Sequence, residues 1–450
     1  MGKTKQKQDR SHYLFSNREL ANLIGPLVIE QLLAVFVGMA DSIMVANVGE
    51  AAVSGVSLVD NIMILIINIA ALATGGAVVA GQYIGRKDEK SACKAATQLV
   101  WFVSLSAVAI MILVYLGKDI ILNQVFGHIT AEVKGHADIY LLIVTASIPF
   151  IALYNGGAAI FRAMGNSQVS MRVSLLMNAI NVTGNAILVF GLRIGTAGVA
   201  IPTLISRMVA AIVITALLCN QTRILHIERT LKIRFDGRMI RKILAIGVPN
   251  GLENSMFQLG KILVLSLVST FGTYAIAANA VSNAIALFQI LPGMAISLAI
   301  TTVISQCVGA NDYEQVRYYL KKLLAIIYVA MVGTVALIFL ALPLILKAYN
   351  LSDQTAAAAT NIIHFHGISA MIIWPLSFAL PAAYRAAGDA KACMYTSIVS
   401  MWIFRIGFSY LVGKYMGLGV FGVWVAMVID WVVRAICFII RYFNGKWKHG

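Results

Sequence analysis

Apolar residues run along this chain in long continuous stretches separated by short polar or Gly/Pro breaks. The stretches predict twelve membrane-spanning helices, beginning near residues 18, 53, 95, 137, 168, 196, 241, 275, 319, 356, 391 and 418. Barrel strands would alternate apolar and polar positions over about ten residues, so continuous runs argue for helices. An even number of spans puts both termini on one side of the membrane.

The pattern repeats. Pro26, Glu30 and Gly49 recur as Pro249, Glu253 and Gly272, each 223 residues on. Gly81-Gln82-Tyr83-Ile84-Gly85 with Asp88 matches Ser305-Gln306-Cys307-Val308-Gly309 with Asp312, and Arg162-Ala163-Met164-Gly165 matches Arg385-Ala386-Ala387-Gly388. Six spans precede the second copy, so it enters the membrane in the same orientation as the first, giving a parallel repeat about an axis along the membrane normal. The expected fold is an all-α integral membrane protein of twelve transmembrane helices in two six-helix lobes. The expected domains are a tail at 1–17, a first lobe at 18–222, a basic linker at 223–240, a second lobe at 241–441 and a tail at 442–450. Transporters that work by alternating access are often built this way, though a channel or structural bundle could also repeat.

Composition agrees. Hydrophobic residues make up 60% and charged residues 12% of the 450, with a mean hydropathy of +0.83, which excludes a water-soluble domain of this length. The net charge of +16 does not indicate nucleic acid, because the basic residues cluster in alternate loops and act as topology signals. Arg86, Lys87, Lys90, Arg223, Arg238, Arg241, Lys242, Arg317, Lys321, Lys322 and Lys391 fall with the N-terminal tail on one side. The chain is therefore expected in the cell (inner) membrane with both termini cytoplasmic. No cleavable signal segment is expected at the basic start. The five cysteines lie far apart with no CxxC spacing, so neither a zinc site nor a disulfide framework is implied. No HExxH, GxSxG or P-loop pattern occurs, so an enzyme is not expected.

The first stretch, Gly25 to Gly49, holds two carboxylates, Glu30 and Asp41, with no Lys or Arg beside them. Asp41 is flanked by apolar residues on both sides and is expected inside the hydrocarbon. A bare carboxylate there costs roughly 3 kcal/mol or more, so it should face a cavity and bind something. A carboxylate in a dry cavity also takes up a proton more readily than one in water. Asn178, Asn181 and Asn185 are spaced three and four apart and share one helix face. Their amides suit either an oxygen-rich cation pocket or interhelical hydrogen bonding. Glu253 and Lys261 lie about two turns apart in one span, roughly 12 Å, too far for a direct pair. Lys261 should therefore pair elsewhere or line water. Glu30, Asp60, Glu253, Lys261 and Asn178 are candidates for coupling or substrate binding. Asp60 stands with Asn61 and Asn68 in span two. Asp430 and Arg434 are four apart and predict an ion pair; Arg207 and Arg405 are expected in similar pairs. His364 and His366 point to opposite sides of a helix and are read as a span-end pair, poor co-ligands for a metal.

The run Leu32 to Gly49 with Met39-Ala40-Asp41 resembles the multidrug and toxic compound extrusion (MATE) transporters of bacterial type. So do Gly81-Gln82-x-x-Gly85, the Arg-x-x-Gly ends of spans four and ten, Asn178-x-x-Asn181-x-x-x-Asn185, and Gly195-x-x-Gly198-Val199-Ala200. The resemblance covers residues 15 to 440. It implies two six-helix lobes in a V, opening alternately to either side, and export of cationic amphipathic compounds against inward flow of H⁺ or Na⁺. It carries a cation site onto Asp41, Asn181, Asn185 and Thr203, where Na⁺ is the one metal considered, and a hinge onto Pro26. In some members the Asn185 position is an aspartate. In Na⁺-driven members the second lobe carries acids at positions matching Phe257 and Trp374, and neither is acidic in this chain.

The expected function is thus a cation-coupled antiporter of organic cations, drugs or toxic metabolites, without cofactor. Its partners would be small molecules and membrane lipids, and it would act as a monomer. The rival of the same plan is a lipid or lipid-linked glycan flippase, which predicts a basic, laterally open cavity. Rivals of another class are a membrane-embedded enzyme and a passive channel.

Overall fold

The computed structural model describes residues 13–67, 71–126, 129–227 and 235–449. The tail before Tyr13, Asn68 and the middle of the linker, including Arg229, Lys232 and Arg234, lie outside the described residues. In chain order the long helices are α1 (Asn17–Ala46), α2 (Glu50–Ile67), α3 (Ala71–Gly85), α4 (Glu89–Leu116), α5 (Ala131–Thr145), α6 (Ile148–Ala163) and α7 (Ser167–Gly191). They continue as α8 (Ala197–Leu218), α9 (Gly237–Ser269), α10 (Thr273–Gly309), α11 (Tyr313–Ala348), α12 (Asp353–Ala386), α13 (Ala390–Tyr415) and α14 (Gly419–Phe443).

Among the described residues nine of these are individually long and apolar enough to cross a membrane, and α5 with α6, bent by 47°, makes a tenth. The other two expected spans are α2 with α3, and α9, whose charged first turns, Glu253 and Lys261 dilute its hydropathy. Helices α4, α5 and α11 begin at 89, 131 and 313, ahead of their apolar runs. Their first turns are polar and are started by Asp88, Thr130 and Asp312, whose side chains accept from the first helical amides. Hydropathy alone does not register such turns.

The chain packs as two lobes, with one apolar core drawn mainly from α2–α8 and another mainly from α10–α14. The cores exchange helix beginnings. Leu20, Leu23 and Leu27 of α1 join the second core, while Met239, Ile243 and Ile246 of α9 join the first. The segments before these helices cross in the same sense. The Leu14 amide donates to Gln315 Oε1 at 2.8 Å and the Phe15 amide to Tyr319 Oη at 2.9 Å, both on α11, while the Asp236 amide donates to Gln98 Oε1 on α4 at 3.1 Å. A boundary at residue 18 or 241 therefore divides the chain but not the packing.

At this same end, which bears the basic loops, the lobes are bound to each other. The Gln82 amide donates to the Ala386 carbonyl at 2.9 Å and the Gln306 amide to the Ala163 carbonyl at 2.7 Å. Glycine makes the approach possible: a Cβ on Gly85 would stand 1.9 Å from the Gln306 carbonyl oxygen, and one on Gly309 2.0 Å from that of Gln82. The opposite halves of the lobes exchange no hydrogen bond among the described residues. The cleft is closed at the basic end.

Pro26 stands inside an unbroken α1. Its ring leaves the Asn22 carbonyl without its helical partner. The Ser167 hydroxyl lies 3.3 Å from that carbonyl and 2.7 Å from that of Leu23.

Candidate functional site

Helices α1, α7 and α8 bring four sequence-derived residues together in the first lobe. Asn185 Nδ2 donates to Asp41 Oδ1 at 2.7 Å and lies 3.3 Å from Asn181 Oδ1, and Asn181 Nδ2 donates to Thr203 Oγ1 at 3.0 Å. Thr203 completes the chain by donating to the Val199 carbonyl at 2.9 Å. Asn181, Asn185 and Thr203 are buried, while Asp41 is half-buried. Spacing explains the convergence: Asn181 and Asn185 are one turn apart on α7, and α7 packs along both α1 and α8. The Asn185 Oδ1 atom is buried without a partner. With the Asp41 carboxylate and the Thr203 hydroxyl it makes a set of oxygen donors suited to a hard cation, and Asp41 itself suits a proton. Asp41 lies five residues before Ala46, the last residue of α1.

A second carboxylate extends the site. Asp60 on α2 accepts from Tyr140 Oη at 3.0 Å, and the Arg207 guanidinium, on α8 one turn past Thr203, acts electrostatically on both Asp60 and Asp41. The expected Arg207 ion pair is not formed: its Nη1 donates to Ser147 Oγ at 2.7 Å. The position of Tyr140 was not read from the sequence. An isolated buried tyrosine hydroxyl implies a partner, but its partner could be known only from how α5 packs on α2. Asn178 stands apart from the network, its Nδ2 3.4 Å from Ser174 Oγ.

Glu30 and Glu253 sit in equivalent ion pairs. Arg162 Nη1 is 3.4 Å from Glu30 Oε1, and Arg385 Nη1 is 3.3 Å from Glu253 Oε2. Ser170 Oγ also donates to Glu30 at 2.9 Å, and Arg434 Nη2 is 3.4 Å from Glu253 Oε1. The expected Asp430–Arg434 pair is thus replaced by Arg434–Glu253, and Asp430 Oδ1 accepts from Ser400 Oγ at 2.5 Å. Both glutamates are buried against their guanidiniums and away from the Asp41 network.

The second lobe holds a cavity of about 540 Å³ between α9, α10, α12, α13 and α14. Phe257, Lys261, Val264 and Leu265 line it from one face of α9, opposite Trp374, Phe378, Arg405, Trp424 and Trp431. Phe257 and Trp374, the positions at which acids were considered, are thus aromatic walls. Val264 stands 223 residues after Asp41, so the repeat places a valine where the first lobe has its carboxylate. His366 also lines this cavity and meets Gln289 Oε1 through Nδ1 at 2.5 Å. It is buried in the body of α12, correcting its reading as a span-end residue. His364 contacts the Thr360 carbonyl and the Phe339 ring instead.

Two repeated lobes of membrane-spanning helices around a cleft closed at one end, with a polar site in one wall, define a multi-pass membrane transporter. The MatE profile matches residues 26–187 and again 249–411, and the chain belongs to the MatE family of transporters. It is 28% identical to the uncharacterized transporter YisQ of Bacillus subtilis, over 98% of this chain and 96% of that protein. It is 23% identical to the probable multidrug resistance protein NorM of Thermotoga maritima, over 96% of this chain and 93% of that one. A solved structure of a MATE protein in complex with MaL6 superposes with a TM-score of 0.90 at 22% identity, covering 96% of this chain and 97% of the other.

Proposed function

We propose that the chain is a cation-coupled antiporter that exports amphipathic small molecules, drugs or toxic metabolites by alternating access, with H⁺ or Na⁺ taken up at Asp41, Asn181, Asn185 and Thr203. The observation that carries this reading is the hydrogen-bonded chain from Asp41 through Asn185 and Asn181 to Thr203, which ties α1 to α7 and α8 at the wall of the cleft. A proton on Asp41 weakens the bond that Asn185 donates and Na⁺ competes for it, so ion binding changes how α1 packs on α7. An ion drives transport only if it binds the two states of the cleft differently, and a network bridging helices supplies that difference.

The closed end bears the basic loops, and by the distribution of charge that end faces the cytoplasm. On this reading the structure is closed towards the cytoplasm, the side from which cargo is loaded. The substrate reading is supported by the name of the Thermotoga relative. Organic cations find their counter-charge at Asp41 and Asp60, where they compete with the coupling ion.

The experiment is efflux of ethidium from reconstituted vesicles, with a pH gradient or a Na⁺ gradient imposed separately, for the native chain and Asp41→Asn. Uphill movement driven by one gradient and abolished in the variant supports the reading and names the ion. Movement indifferent to both gradients and to the substitution removes it.

A further inference from the structure

The cavity of the second lobe has a charge that the antiport reading does not use. Lys261 Nζ lies 5.7 Å and Arg405 Cζ 4.9 Å from the centroid of one ring, that of Phe257. Both cations line the cavity, and neither forms an ion pair among the described residues. The carboxylates nearby are engaged elsewhere: Glu253 is held by Arg385 and Arg434, and Asp430, which acts on Arg405 at longer range, is turned to Ser400. His366 is turned to Gln289. Four cations thus face two carboxylates around this cavity, and the surplus falls on the two that line it.

Arg434 Cζ, paired with Glu253, lies 5.8 Å from the same ring, and holding two further unpaired cations beside it within membrane-spanning helices is costly without a counter-ion. A cation–π contact offsets only about 0.5–2 kcal/mol of it. The rest of the wall is mostly apolar, with aliphatic residues and two asparagines of α10 beside a group of aromatic rings. Trp374 stacks on Phe378 with centroids 5.2 Å apart, and Trp431 meets Phe378 edge-on at 5.7 Å. The Trp424 indole nitrogen donates to Asn279 Oδ1 at 3.0 Å, so it leaves no free donor for the space. A volume of about 540 Å³ with mostly apolar walls and two convergent charges has the make-up of a small-molecule site.

We propose that this cavity is a binding site for aromatic organic anions, with a carboxylate, sulfonate or phosphate between Lys261 and Arg405 and the ring system among Phe257, Trp374, Phe378 and Trp431. The proposal rests on the antiporter reading for its role in export, and it adds a second substrate class. The first lobe offers carboxylates to protons and cations, and the second offers cations to anions. The lobes descend from one repeat but differ where it matters: Gly38 stands 223 residues before Lys261, and Asp41 as far before Val264.

The test is calorimetric binding of 2-naphthalenesulfonate to the full-length protein in phosphatidylcholine nanodiscs, beside its neutral and cationic counterparts 2-naphthalenemethanol and 2-naphthylmethylammonium. The sulfonate is expected to bind tightest. Lys261→Gln with Arg405→Gln is expected to weaken it by roughly tenfold or more, as for lost bonds to charged groups, while leaving the neutral compound within about twofold. Lys261→Arg, which keeps the charge, is expected to retain binding, so a loss in the double variant reads charge and not misfolding. Equal or tighter binding of the ammonium compound overturns the proposal, as does a double variant that binds the sulfonate normally. Competition by phosphatidylglycerol in the disc assigns the site to lipid anions and overturns the proposal, and its absence supports soluble aromatic anions. Ethidium efflux from vesicles reconstituted with the same protein separates the two readings. Gradient-driven efflux without sulfonate binding removes this site alone, and sulfonate binding without gradient dependence removes the antiport alone.

Discussion

Gln306 donates its side-chain amide to the Ala163 carbonyl at 2.7 Å, and its repeat counterpart Gln82 donates to the Ala386 carbonyl at 2.9 Å. Each bond runs from one lobe to the end of the fourth span of the other. Together they make a reciprocal lock across the pseudo-two-fold axis at the basic end of the cleft. A transporter that alternates must break this lock once per cycle.

Removing both amides by Gln82→Ala with Gln306→Ala should favour the form open at the basic end. Each neutral hydrogen bond is worth about 1 kcal/mol net, so the ratio of the two forms should shift roughly 30-fold. Spin labels at Lys90 and Arg317, both exposed, read the change as a new longer distance. An unchanged distance distribution in the double variant would show that the lock does not hold the cleft.

The Asp41 network makes a graded prediction. Asp41→Asn should abolish gradient-driven efflux while leaving the fold intact, because an amide replaces the carboxylate at equal size. Asn181→Ala and Thr203→Val each remove two bonds of the chain and should reduce coupled transport by about tenfold or more. Efflux at fixed gradient, with expression and melting temperature as controls, measures both.

The two glutamates should behave as structural ion pairs. Glu253→Gln leaves two guanidiniums facing a neutral amide, and Arg434 is 2% exposed. Stripping a partner from a buried pair costs about 3–5 kcal/mol. Glu30→Gln frees one guanidinium, with Ser170 still able to bond the amide, and should cost less. Thermal unfolding in detergent should rank the two variants in that order. A Glu253→Gln protein of normal stability that has lost only coupling would restore Glu253 to the transport chemistry.

The start of α9 carries a pH prediction outside the membrane. Lys94 and the first amides of the helix hold the Asp236 carboxyl below its ordinary range. Because the folded carboxyl is the stronger acid, the stabilisation is complete above the ordinary carboxylate pKa of about 3.9 and is lost as pH falls through the lower folded value. Docking of this segment on α4 should therefore be constant from pH 7 to about 5. Hydrogen exchange of the 236–242 amides, corrected for intrinsic rates, checks this, and Lys94→Met should loosen them throughout that window.

Much of this protein is determined by sequence alone, for reasons of range. Span number and the parallel repeat follow from hydropathy and from residues recurring 223 positions apart, both readable along one dimension. The repeat also pointed to Glu30 with Arg162 and Glu253 with Arg385 as equivalent positions, though not as contacting pairs. Asn181 and Asn185 share a face because helix geometry is local. Membrane energetics marked Asp41, since a carboxylate among apolar residues requires a purpose wherever it sits.

Only the tertiary structure decided which charges meet. Arg434 and Asp430 are four apart on one helix, yet Arg434 turns to Glu253 on α9, because a buried charge goes to the partner that packing brings nearest, and helix spacing does not encode it. The same holds for Tyr140 with Asp60, for Arg207 with Ser147, and for the exchange of helix beginnings between the two cores. Above all, packing gathered Lys261 from α9 and Arg405 from α13 around one phenylalanine. Two cations 144 positions apart in sequence carry no mark of a shared site until the helices between them fold, and their surplus charge exists only in that assembled cavity.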